Sequence, residues 1–122
     1  MTDALAGKVA IITGASSGVG EAAARGFAQA GARVVLAARS GEKIARLAQQ
    51  LGGLAVTTDV SRFDDLQALV DRTLAAFGRI DVLVNNAAAN TRGDLDALDP
   101  QGIATVIDTN LKAPLLLTRL AL

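Results

Sequence analysis

Short, β-branched apolar runs alternate along this chain with segments of helical period, and that alternation leaves few folds open. Residues 8–13 (KVAIIT), 33–38 (RVVLAA), 54–57 and 82–85 are short and nearly free of polar residues, so they read as strands buried on both faces. Helical segments lie between them. Val19, Ala22, Ala23, Phe27 and Ala30 repeat at three and four until Gly31 stops the helix. Ser40 is placed to cap a second helix, whose Ile44, Leu47, Ala48 and Leu51 share one face before Gly52-Gly53. Ser61 and Asp64 have the spacing of a capping box. They precede a third stripe of Phe63, Leu66, Val70, Leu74 and Phe77, closed by Gly78. Residues 86–99 form a polar loop in which Arg92, Asp94, Asp96 and Asp99 read as solvated charges. Asp99-Pro100 then opens a helix that carries Ile103, Val106, Ile107 and Leu111 toward Leu122. Strands and helices in this alternation imply βαβ units and a parallel sheet. The simplest order for four strands is 3-2-1-4, a doubly wound α/β sheet. Its ligand site is expected beyond the strand C-termini, between strands 1 and 4.

Composition narrows the function classes. The 122 residues suit one domain, and 12 Lys+Arg balance 12 Asp+Glu, which argues against a nucleic-acid or polybasic membrane partner. A mean hydropathy of +0.37 is too apolar for a disordered chain. No apolar run approaches the ~18 residues of a spanning helix. Met1-Thr2-Asp3 carries no secretory-leader pattern, and the absence of Cys agrees with a cytoplasmic address. With neither Cys nor His, no zinc site is expected.

The loop Thr13-Gly14-Ala15-Ser16-Ser17-Gly18-Val19-Gly20 joins strand 1 to helix 1. Phosphate groups need close backbone approach and free N–H donors. Gly14, Gly18 and Gly20 supply the first, and a helix N-terminus supplies the second together with partial positive charge. Ser16 and Ser17 can add hydroxyl donors. The spacing is neither that of a P-loop, since no Lys follows, nor GxGxxG.

TGASSGVG resembles the TGxxxGxG signature of the classical short-chain dehydrogenase/reductases. Three further matches follow in order: Asp59-Val60 after strand 3, Asn85-Asn86-Ala87-Ala88 at the end of strand 4, and Asn110-Leu111 in the helix beyond. The resemblance covers essentially the whole chain. It implies a Rossmann-type fold, a nicotinamide dinucleotide and hydride transfer to or from a small carbonyl or alcohol substrate. Gly14, Ser16, Ser17, Gly18, Val19 and Gly20 would then lie at the pyrophosphate. Asp59 and Val60 would meet the adenine, and Asn86, Ala87 and Ala88 the neighbouring ribose. Asn110 would be a catalytic position whose backbone holds a water, and Pro114, lacking an N–H, would open the helix there. Ala88 stands where the family has Gly, which would strain the loop if φ > 0 were needed. An Asx turn is the alternative use of Asp59, but Ser61 is the better cap, so ligand contact is expected. Where an NAD-binding relative would place a carboxylate after strand 2, this chain has Ala38, Arg39 and Ser40. Arg pairs with phosphate, so NADP is expected over NAD, although the glycine loop lacks a second basic residue.

The family's acid/base is a Tyr with a Lys four residues on, assisted by a Ser from a later strand. This chain has no Tyr at all. The reading is therefore of residues 1–122 as the N-terminal, dinucleotide-binding part of a single Rossmann domain, inactive alone and homo-oligomeric when complete. The exposed fourth strand and the apolar stretch 113–122 (APLLLTRLAL) point the same way. Two other readings stay open: a non-catalytic dinucleotide-binding module, and an interaction protein completed by a partner.

Overall fold

The computed structural model describes residues 3–89 and 95–122. Strand β1 (Val9–Thr13), helix α1 (Gly18–Gln29), β2 (Arg33–Ala38), α2 (Gly41–Leu51), β3 (Leu54–Thr57), α3 (Phe63–Phe77) and β4 (Val82–Val84) alternate as expected. A 3₁₀ turn (Leu95–Ala97) precedes α4 (Pro100–Ile107), a π-helical turn (Asp108–Lys112) and α5 (Ala113–Ala121). All strand pairs are parallel, in the order β3-β2-β1-β4. Ile11 sits at the centre of the register, opposite Val35 on one side and Leu83 on the other.

Alternate side chains of the sheet feed two separate cores. Val9, Ile11, Val35, Ala37 and Val56 pack with Leu66, Leu69 and Val70 of α3 and Ala113 and Leu117 of α5. Ala10, Ile12, Val34, Leu36 and Ala38 pack with Ala24 of α1 and Ile44, Leu47 and Ala48 of α2. Helices thus cover both faces, which is why the strands carry apolar residues without alternation.

Several local expectations are corrected. Helix α1 buries Gly20 and Ala24, while Val19 is 76% exposed and Ala22 is exposed. Gly20 lies close against the β1–α1 loop, and the buried face is one residue away from the stripe of larger side chains. Ser40 occupies the N-cap position of α2, but its side chain makes no cap bond. No capping box forms at α3: Arg62 is the N-cap, and the Ser61 hydroxyl donates to Asp59 instead. The buried face of α3 is Leu66, Leu69, Val70 and Thr73, with Phe63 and Leu74 largely exposed. Strand β4 ends at Val84, one residue early, and the Asn85 side-chain amide donates to the Thr118 hydroxyl of α5. Asp99 caps α4 as expected, accepting from the Gly102 N–H at 2.7 Å. Arg92 and Asp94 lie outside the described residues.

The open ends of β1 and β4 are held by one carboxylate. Asp81 Oδ2 accepts from the Val9 N–H and from Arg79 Nε, both at 2.8 Å, and Oδ1 accepts from Arg79 Nη2 at 2.7 Å. The Asp81 N–H donates back to the Val9 carbonyl. The Arg79 bonds and the Val9 bond hold the Asp81 carboxyl below its ordinary value. Because the folded value is the lower one, the stabilisation is present above the unfolded pKa of ~4 and is lost as pH falls further. Asp81→Asn is expected to lower the thermal midpoint at neutral pH and to flatten its decline below about pH 4. Circular-dichroism melts across pH check this, and an unchanged acid limb would refute it.

Candidate functional site

The C-terminal ends of β1, β2 and β3 and the loop after β4 enclose a cleft of about 560 Å³. It lies at the switch point between β1 and β4, where the chain turns to opposite sides of the sheet. The β1–α1 loop forms its floor through Gly14, Ser16 and Ser17.

Two glycines make that floor possible. Gly14 has φ +63°, and a Cβ there would come within 2.8 Å of Asn86 Nδ2 and 3.0 Å of the Ala87 backbone. Gly20 is packed closer still: a Cβ would collide with the Gly14 carbonyl oxygen and sit 2.7 Å from Asn86 Nδ2. The loop, the first turn of α1 and the chain after β4 therefore meet at backbone distance, and a ligand can approach the N–H groups opening α1. Ser17 is the N-cap of α1 yet makes no side-chain cap bond, and its hydroxyl has no hydrogen-bond partner among the described residues.

Thr13, named in sequence only as the start of the glycine loop and given no role at the site, fixes this junction. Its Oγ1 donates to the Val84 carbonyl and accepts from the Asn86 and Ala87 N–H groups at 2.9 and 3.0 Å. The available signal was a hydroxyl residue ending an otherwise apolar strand. Asn86 Nδ2 completes the tie by donating to the Gly14 carbonyl at 3.2 Å. Ala88 lines the cleft, and no described non-Gly residue has positive φ, so Ala88 incurs no left-handed strain.

Asn110 lies in the π turn, but its side chain faces the loop after β4. Oδ1 accepts from the Ala89 N–H at 2.7 Å, and Nδ2 donates to the Ala89 carbonyl at 2.6 Å. Pro114 cannot supply an N–H to the Asn110 carbonyl, and the helix widens there: the Ala113 N–H reaches back to the Asp108 carbonyl. Thr105 and Thr109, not Asn110, line the cleft from this element.

The far wall carries Arg39, Asp59, Val60 and Ser61. Here the expectation that Asp59 escapes an Asx turn is corrected. Its Oδ1 accepts from the Ser61 hydroxyl at 2.6 Å and the Ser61 N–H at 3.0 Å. The Ser61 hydroxyl bond is the largest cause of an Asp59 pKa below the ordinary value, with the Ser61 N–H and the charges of Arg39 and Arg62 adding to it. Of the residues singled out from sequence, Gly18, Val19, Gly20, Ser40 and Asn110 do not line the cleft themselves. They flank or support those that do. Thr58, Ser61, Ala89, Thr105 and Thr109 line it without having been foreseen.

A family model of the short chain dehydrogenases matches residues 8–122. The chain belongs to the short-chain dehydrogenase family. It is 42% identical over 124 residues to 11-beta-hydroxysteroid dehydrogenase A of Sesamum indicum, covering 96% of this chain and 36% of that protein. It superposes with a TM-score of 0.89 and 44% identity on a metagenomic short-chain oxidoreductase in complex with NADP, covering 96% of this chain and 56% of that one. A 3-ketoacyl-(acyl-carrier-protein) reductase from Brucella melitensis, complexed with NADH, superposes at 0.88 with 36% identity, covering 94% and 48%. The chain thus spans between 36% and 56% of these relatives' own lengths. The parallel sheet order, the helices on both faces and these neighbours make the fold Rossmann-type. Among the described residues, no helix is long and apolar enough to cross a membrane.

The close packing makes this chain's glycines unequal. Gly20→Ala is expected to destabilise by ~1–3 kcal/mol through overpacking against fixed backbone. Gly26→Ala, in open space on the same helix, is expected to stabilise by ~0.5–1 kcal/mol. Urea unfolding of both variants checks the pair, and equal effects would refute the packing assignment.

Proposed function

We propose that this chain is the cofactor-binding part of an NADP(H)-dependent oxidoreductase acting on a small carbonyl or alcohol. The observation that carries the reading is the cleft itself: a Gly14–Gly20 cradle at the α1 N-terminus, with Arg39 and no carboxylate at the end of β2. The residues fit the dinucleotide. A pyrophosphate would lie where Ser16, Ser17, Gly18 and Val19 open α1, on the loop that the close contacts at Gly14 and Gly20 hold against the chain after β4. Arg39 and the Ser40 hydroxyl, which makes no cap bond, would take the 2′-phosphate. The adenine would meet Asp59 Oδ2 and the Val60 N–H, neither of which has a partner among the described residues. Asn86, Ala87 and Ala88 would border the second ribose. When bound, the nicotinamide supplies or accepts the hydride.

This chain's own contribution to chemistry is positional. The Asn110 side chain holds the loop after β4 against the cleft, and its carbonyl, in the widened turn, is the place for a relay water. No Tyr or His is present to exchange the substrate proton at neutral pH. The 122 residues are therefore proposed to bind the cofactor without turning it over. Of the two solved structures named above, one holds NADP and the other NADH, so the preference for NADP rests on Arg39. Ile103, Ile107, Leu111 and Leu115, exposed at every fourth position of α4 and its continuation, support self-association of the complete protein. The Cys-free composition supports a cytoplasmic location.

Arg39→Ala is expected to weaken NADPH by about tenfold or more, the worth of a charge-assisted bond at an exposed site, with NADH nearly unchanged. Calorimetric titration of both cofactors checks it. An equal loss for the two would overturn the NADP assignment, and no binding of either by the parent chain would overturn the cofactor reading.

A further inference from the structure

Among the described residues, the buried polar side chains are Thr13, Thr58, Thr73 and Thr109. Three of them are satisfied. Thr13 Oγ1 donates to the Val84 carbonyl, Thr58 Oγ1 to the Val56 carbonyl at 2.8 Å, and Thr73 Oγ1 to the Leu69 carbonyl at 2.7 Å. Thr105, one turn before Thr109, also directs its hydroxyl back along the helix, to the Gln101 carbonyl. Thr109 is only 9% exposed, yet its hydroxyl has no hydrogen-bond partner among the described residues. A hydroxyl taken out of water without a bond costs stability.

The space around Thr109 decides where that hydroxyl opens. Among the described residues, every side-chain donor or acceptor sealed from solvent has a partner, so Thr109 Oγ1 is not sealed. Thr109 lines two spaces: the main cleft, and an adjoining crevice bordered by Val60, Ala87, Pro114 and Leu117. The crevice is too narrow for a water molecule. The hydroxyl therefore opens into the cleft, where Val60 of the far wall meets Ala87 of the loop after β4.

We propose that Thr109 is a ligand-binding residue of the cleft, whose hydroxyl bonds a polar atom on the adenosine half of the dinucleotide and is kept there at a cost in stability. The proposal rests on the dinucleotide reading above, which sets Val60 against the base and so selects the adenosine half. One residue on, Asn110 commits both polar atoms of its side chain to Ala89. The π turn thus carries one side chain that shapes the loop and, beside it, one left for the ligand.

Thr109→Val keeps the branched shape and removes the hydroxyl, whereas Thr109→Ser keeps the hydroxyl. The test combines thermal melts of the ligand-free chain with calorimetric titrations of NADPH and of its adenosine half, adenosine 2′,5′-bisphosphate. Thr109→Val is expected to melt no lower than the parent and to bind both ligands about five- to tenfold more weakly, the worth of one hydrogen bond. Thr109→Ser is expected to bind both within about twofold of the parent. A lower ligand-free midpoint in Thr109→Val would show that the hydroxyl serves the fold and would overturn the proposal, as would unchanged affinity for both ligands. A loss for NADPH alone would put the contact on the nicotinamide half and overturn the assignment to adenosine. A parent that binds neither ligand would overturn the dinucleotide reading itself, and this proposal with it.

Discussion

The structure depends on one close approach between three pieces of backbone. Gly20, in the first turn of α1, lies against the Gly14 carbonyl, and the Asn86 amide bonds the same carbonyl from the chain after β4. No side chain fits between them. The β1–α1 loop is pinned on one side by the helix it starts and on the other by the strand that flanks β1. Thr13 reinforces the pin from inside the sheet by taking the Asn86 and Ala87 N–H groups on its hydroxyl. Loosening any of the three would open the cleft floor and scatter the N–H donors at the opening of α1 that make it an anion site.

The same economy of contact recurs around the cleft. Asn110 spends both polar atoms of its side chain on Ala89, so a π turn more than twenty residues away sets the position of the loop after β4. Asp81 spends both oxygens on Val9 and Arg79, closing the far end of the β1–β4 pair. Asp59 and Ser61 close on each other. In each case a short polar side chain is matched to backbone or to a near neighbour, and no fully buried side-chain donor or acceptor among the described residues is left without a partner.

The strand runs, the helix stops at Gly52 and Gly78 and the Asp99-Pro100 start were legible in sequence because each follows from short-range physics: β-branching, φ freedom or a missing N–H. The sheet order followed from the alternation itself. The face of α1 was not legible. Periodicity weights large apolar residues, whereas the helix turns toward the sheet the face on which Gly20 and Ala24 allow close approach. The partner of Ser61 was likewise ambiguous, since one hydroxyl can cap a following helix or bond an aspartate two residues back. Only the folded turn, with Asp65 reaching to the Asp59 N–H, decides between them.

By itself the sequence determined the class of fold, the glycine loop after the first strand, the cation at Arg39 in place of a carboxylate and the absence of any Tyr or His. These are properties of residue type and order, and the chain carries them before it folds. Tertiary structure alone decided which donors meet which acceptors: Thr13 with Asn86 and Ala87, Asn110 with Ala89, and the Gly14–Gly20 contact. These pairs are as much as seventy-four residues apart in sequence. Hydrogen bonds act over about 3 Å, so such partners are set by the packing of a sheet and its helices, not by spacing along the chain.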